Sequence, residues 1–109
     1  MRPTTARTTK RAWAPSVAHR EQRLAWLAAA PRNAAAYVEG ALETGDPGDL
    51  MHALRDIAEA HGGIARLAEE TGLNREALYR TLSRSGNPQL SSLLAILKAS
   101  GLKLSVAPA

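Results

Sequence analysis

The chain has 109 residues, 45% of them hydrophobic, with no Phe, two Trp and two Tyr, which suits one modest domain packed from Leu, Ala, Ile and Val, a palette that favours helices. The absence of cysteine excludes a disulfide framework, a thiolate metal site and a thiol nucleophile, and the weakly polar run around Leu24–Ala30 is far too short to cross a bilayer. The net charge of +4 is uneven: residues 1–32 carry seven Arg or Lys against Glu21 alone (net +6), and residues 33–109 carry seven basic against nine acidic residues (net −2), so nucleic-acid binding cannot be argued from bulk charge and must rest on where the charges sit.

Residues 1–18 are rich in Thr, Arg, Ala and Pro, lack acids and carry Trp13. They read as a disordered basic arm, either gripping phosphates or an acidic partner or remaining a solvated tail. Residues 19–109 read as the folded domain. His19–Ala30 is expected to be a short helix interrupted by Pro31. Leu24, Trp26 and Leu27 either anchor a protein partner or pack on the next helix, expected over Ala34–Thr44 and closed by a left-handed Gly45.

Asp46-Pro47 opens a third helix, with Asp46 as cap, Pro47 at the first position and Asp49 favourable in the first turn. Leu50, Leu54 and Ile57 form its apolar stripe, and Gly62-Gly63 ends it. Two short helices follow, Ile64–Thr71 and Arg75–Ser83. Ala68 is small where crossing helices approach. Gly72 sits where the turn needs a positive φ, and Leu67, Leu73, Leu78 and Leu82 fall where apolar residues plug the interhelical angle, with Asn74 capping the second helix. This is the pattern of a DNA-reading helix-turn-helix. In it Arg75, Glu76, Tyr79 and Arg80 project from the outer face of the second helix toward base edges.

Arg75, Arg80 and Arg84 read as base and phosphate contacts or as solvated arginines paired with Glu76 and similar neighbours. Tyr79 stacks on a sugar, touches a thymine methyl, or packs half-buried. Gly86-Asn87-Pro88 either offers backbone amides to a phosphate or simply builds the turn. A last helix is expected from Ser91 or Ser92 to Ser100, stopped by Gly101. Leu102–Val106 then alternates apolar and polar residues, which predicts a short strand. A lone strand needs a neighbour, so the same segment of a second copy is a candidate partner, against an extended tail packed on its own helices.

Little points to catalysis. His19, His52 and His61 are scattered, and no metal or cofactor site is expected. Asp56 with Glu59, and Glu69 with Glu70, read as solvated helix faces. Ser91 and Ser92 read as helix starters without a nearby base. An enzyme is therefore the least expected class.

From about Leu24 to Val106, the segments ALETGDP, TGLNREALYR, GNP and GLKLSV occur in one collinear order. On these segments the chain resembles the putative addiction-module antidote family, the HigA-like antitoxins of type II toxin–antitoxin pairs within the Cro/C1 (XRE) helix-turn-helix group. The resemblance implies a cytoplasmic antitoxin that neutralises a RelE-like ribonuclease toxin and represses its own promoter. It also implies that Arg75, Glu76, Tyr79 and Arg80 face bases and that Arg84 and Asn87 lie near phosphates. One departure is Ile64, where Cro/C1 proteins often carry a phosphate-binding Gln.

The expected fold is thus all-α, five or six short helices around a Cro/C1-type helix-turn-helix with one short C-terminal strand. The expected function is that of a homodimeric DNA-binding antitoxin. The alternatives are a stand-alone repressor, or a protein-interaction module that inhibits a toxin with weak DNA binding.

Overall fold

A computed structural model describes residues 17–109, and the Trp13 region and nearly all of the basic arm lie outside the described residues. Among these residues the chain is all-helical: α1 Val17–Ala29, α2 Pro31–Glu43, α3 Pro47–Ala60, α4 Ile64–Thr71, α5 Arg75–Thr81 and α6 Leu90–Ala99. Helices α1, α2 and α3 pack against one another, while α4 bridges α3 to α5 and α6. The core joins both halves through Leu27, Val38, Leu54, Ile57, Ile64, Leu67, Leu78, Leu82 and Ile96.

Pro31 starts α2 instead of separating it from α1 by a loop. A proline is at home at the first helical position, where its missing N–H would be unsatisfied anyway. The α1–α2 junction is consequently a single residue, Ala30. Asn33 donates its side-chain amide to the Trp26 carbonyl at 2.8 Å, satisfying one orphaned acceptor near the end of α1. Leu27 is fully buried by this packing and Leu24 partly so; only Trp26 of the three candidate partner contacts stays exposed, at 44%. Asp46 caps α3 as expected, accepting from the Gly48 N–H at 2.8 Å.

Helix α6 begins at Leu90, after Gln89, so Ser91 and Ser92 are already helical. Its C-terminal end explains why the expected strand at Leu102–Val106 is absent. The Gly101 N–H donates to the Lys98 carbonyl at 3.0 Å, and the Leu102 N–H donates to the Leu97 carbonyl at 2.9 Å. With Gly101 at φ 78°, this is a glycine-terminated cap that consumes the first backbone donor of the supposed strand. Leu102 packs on the core as part of that cap. Beyond it, Leu104 and Val106 are exposed and no strand pairs with them among the described residues.

Asp56 corrects a second expectation. It is a buried carboxylate, 2% exposed, and not part of a solvated face. Tyr37 of α2 donates its hydroxyl to Asp56 Oδ2 at 2.6 Å. Arg23 of α1 approaches the same oxygen at 3.3 Å, His52 lies 3.4 Å from it, and Arg20 lies 3.7 Å from Oδ1. One carboxylate therefore ties three helices together. Glu59 adds an outer pair with Arg20 at 3.3 Å.

Burial, followed by the hydrogen bond to Asp56, holds the Tyr37 phenol well above its ordinary pKa of 10.0. The folded chain keeps this proton after the unfolded chain has released it. The contribution to stability is therefore full below about pH 10 and drains away as pH rises above it. Tyr37→Phe is expected to cost about 1.5–3 kcal/mol at neutral pH, the range for a hydrogen bond to a charged group. The same change should flatten the alkaline limb of stability against pH. Urea midpoints at pH 7 and pH 10.5 test both effects, and an equal alkaline loss in the two proteins would dissociate that limb from Tyr37.

Candidate nucleic-acid interface

Helices α4 and α5 are joined by Gly72–Asn74. Gly72 takes the left-handed conformation at φ 75°, with its N–H bonded to the Ala68 carbonyl at 2.9 Å. A β-carbon resists that conformation, which is the reason for glycine here. Thr71 braces the turn, donating its hydroxyl to the Leu67 carbonyl at 2.7 Å and accepting from the Leu73 N–H at 3.2 Å. Asn74 caps α5 by accepting the Ala77 N–H at 2.9 Å. Leu67, Leu78 and Leu82 are buried, and Ala68 and Leu73 pack against them. The framework read from the sequence therefore fixes how α5 is held.

With Leu78 and Leu82 inward, Arg75, Glu76, Tyr79 and Arg80 are exposed. Arg75 and Arg80 give this face two exposed cations, with Glu76 beside them. Tyr79 is 39% exposed, and the Arg55 guanidinium of α3 lies 5.3 Å from its ring centroid. That is cation–π distance, so the ring is braced by Arg55 while it remains partly exposed. Arg55 had no signal in the sequence, since it lies 24 positions before Tyr79 and reaches it only through packing. On α4, Arg66 is turned toward Glu70 at 3.1 Å.

The segment after α5 is held more tightly than its Ser-Gly-Asn-Pro composition suggests. A β-carbon on Gly86 would clash with the Thr81 carbonyl and fall 2.9 Å from the Arg80 carbonyl oxygen. The loop backbone is thus laid directly against the end of α5. Asn87 is exposed at its rim. Arg84 is exposed too, yet its Nη2 is 2.9 Å from both Asp46 and Asp49. The Thr44 hydroxyl, followed by Arg84, holds the Asp49 carboxyl below its usual range, and Asp49 in turn raises Arg84. Of the six proposed nucleic-acid contacts, five present free surface and Arg84 is engaged with α3.

A separate cleft of about 760 Å³ opens among α1, α2 and α3. Trp26 and Tyr37 meet edge to face along it, with centroids 6.4 Å apart, and Gly40, Ala53 and His52 are among the residues that line it. Among the described residues no three His, Asp or Glu side chains gather as a metal site, and no helix is long and apolar enough to cross a membrane.

Residues 26–108 match a protein family described as "Probable addiction module antidote protein". The chain is also 37% identical over 57 residues to an uncharacterized protein of Haemophilus influenzae, a stretch covering 52% of this chain and 58% of the relative. The match thus spans less than two thirds of that relative's length. No solved structure shows a significant match.

Proposed function

The chain belongs to the probable addiction module antidote family, and on that premise we propose that it is an antitoxin that also reads DNA through α5. Membership implies a cognate toxin as partner. The observation that carries the DNA half is the α4–α5 unit: a glycine turn and an Asn cap set α5 so that Arg75, Glu76, Tyr79 and Arg80 all face solvent from one short helix. Arginine forks onto guanine and tyrosine offers a flat apolar face, so this set suits major-groove edges. We assign the unit to the Cro/C1 helix-turn-helix group and the chain to the HigA-like antitoxins. On this reading the target is its own promoter, bound by a cytoplasmic homodimer on an inverted repeat whose half-sites lie about 34 Å apart. A RelE-like ribonuclease is the toxin class that the resemblance implies. Trp26, an exposed residue lining the cleft, is the one we assign to the toxin contact.

The deciding experiment is a mobility shift on the DNA upstream of its own gene, against scrambled DNA, at about 150 mM salt, where non-specific binding is weak. Retention of the upstream fragment alone is the expected result. Arg80→Ala should then weaken binding by about 1–3 kcal/mol and relax preference at one base pair. An unchanged affinity and footprint would remove Arg80 from the interface. Failure to retain the fragment would favour the protein-interaction reading, which the net −2 of residues 33–109 and the aromatic cleft support. A pull-down of the neighbouring gene product by wild type and by Trp26→Ala would then test the toxin contact.

A further inference from the structure

Arg84 sits three residues beyond α5 but spends its charge on another helix. Both carboxylates it meets belong to the start of α3: Asp46 is the cap and Asp49 lies in the first turn. The contact is not made by side chains alone. A β-carbon on Gly48 would come within 2.8 Å of the Arg84 carbonyl oxygen, so the first turn of α3 rests on the loop backbone itself. On its other side the loop is pressed against α5 at Gly86, and the Gly86 N–H donates to the Ser83 carbonyl at 2.9 Å. The loop is therefore clamped between two helices, and Arg84 is the charged fastener on one side.

We propose that Arg84 is a positioning latch rather than a phosphate ligand: it fastens the 83–87 loop to the start of α3 and offsets the charge of the two carboxylates there. The remaining negative charge of the Asp46–Asp49–Arg84 group is stabilised by the positive end of the α3 dipole. Asn87, exposed on the clamped loop, is positioned by the same latch. The effect on DNA binding rests on the proposed function; the latch itself does not.

Two readouts separate these levels. Amide exchange of residues 83–87 is expected to accelerate about tenfold in Arg84→Ala and likewise in Asp46→Asn/Asp49→Asn, while the amide of buried Leu27 is unaffected. Asparagine caps a helix as well as aspartate, so the double variant removes charge without removing the cap. Unchanged loop exchange in both variants would overturn the latch.

For DNA, affinity for the upstream duplex is measured between about 50 and 200 mM salt. Arg84→Ala should bind severalfold more weakly with the same slope of log affinity against log salt. A slope shallower by about 0.9 would make Arg84 a phosphate ligand and overturn the proposal. If the wild-type protein does not bind the duplex, the DNA reading fails and the exchange experiment alone decides the latch.

Discussion

Asp56→Ala is expected to destabilise the domain by about 3–5 kcal/mol, the cost of removing one partner from a buried ionic cluster. The carboxylate is 2% exposed and serves the Tyr37 hydroxyl and Arg23 at once. Its loss removes the shared acceptor of the Tyr37 hydroxyl and the Arg23 guanidinium, and three helices lose their common tie. For a domain of this size the melting temperature should fall by at least about 12 °C. Asp56→Asn should cost less, since the amide oxygen still accepts from Tyr37 while the counter-charge to Arg23 is gone. A drop of less than about 1 kcal/mol for the alanine variant would mean that the neighbouring cleft hydrates the cluster enough to replace the carboxylate.

Gly86→Ala is the second large effect, and its cause is steric. The new β-carbon would clash with the Thr81 carbonyl, a main-chain group, so the α5 end or the loop backbone must shift to admit it. Overpacking ordinarily costs about 1–3 kcal/mol, and a clash with main chain lies at or above the top of that range. Gly101→Ala is the control. Its φ is 78° but nothing lies within 4 Å of the new atom, so the expected cost is the left-handed penalty of about 1–2 kcal/mol. Parallel thermal melts compare them. If Gly86→Ala loses no more than Gly101→Ala, the loop is looser than its packing implies.

Both residues mark where reading the chain stopped short. Gly86 does not carry a positive φ, so the usual reason for a turn glycine does not apply; close approach of two backbones is its reason, and that is visible only in three dimensions. Asp56 looks like any carboxylate on an amphipathic helix, one turn before Ala60 and beside Arg55. Its burial depends on Arg23 and Tyr37, which lie 33 and 19 positions away and have no local pattern linking them to it. The α4–α5 unit is the opposite case. Gly72, Asn74 and Leu78 act within seven consecutive positions: Gly72 is left-handed, Asn74 caps α5 and Leu78 is buried.

The terminal segment shows the same division. Alternation over Leu102–Val106 is a true property of the sequence, but a strand exists only where another strand accepts its hydrogen bonds. Here Leu102 gives its N–H to the end of α6 instead. Local requirements, such as a left-handed glycine or a cap, depend on a few neighbouring residues, so the sequence by itself determined the presence of the helices, the Asp46 and Asn74 caps, the Gly72 turn and the outward face of α5, whereas Pro31 opens α2 where a break was expected. The buried Asp56 cluster, the Arg55–Tyr79 brace and the Arg84 latch join residues between 19 and 38 positions apart. Only tertiary structure decided them, because a charge or an aromatic ring has no preferred partner until packing brings one within reach and excludes water from the rest.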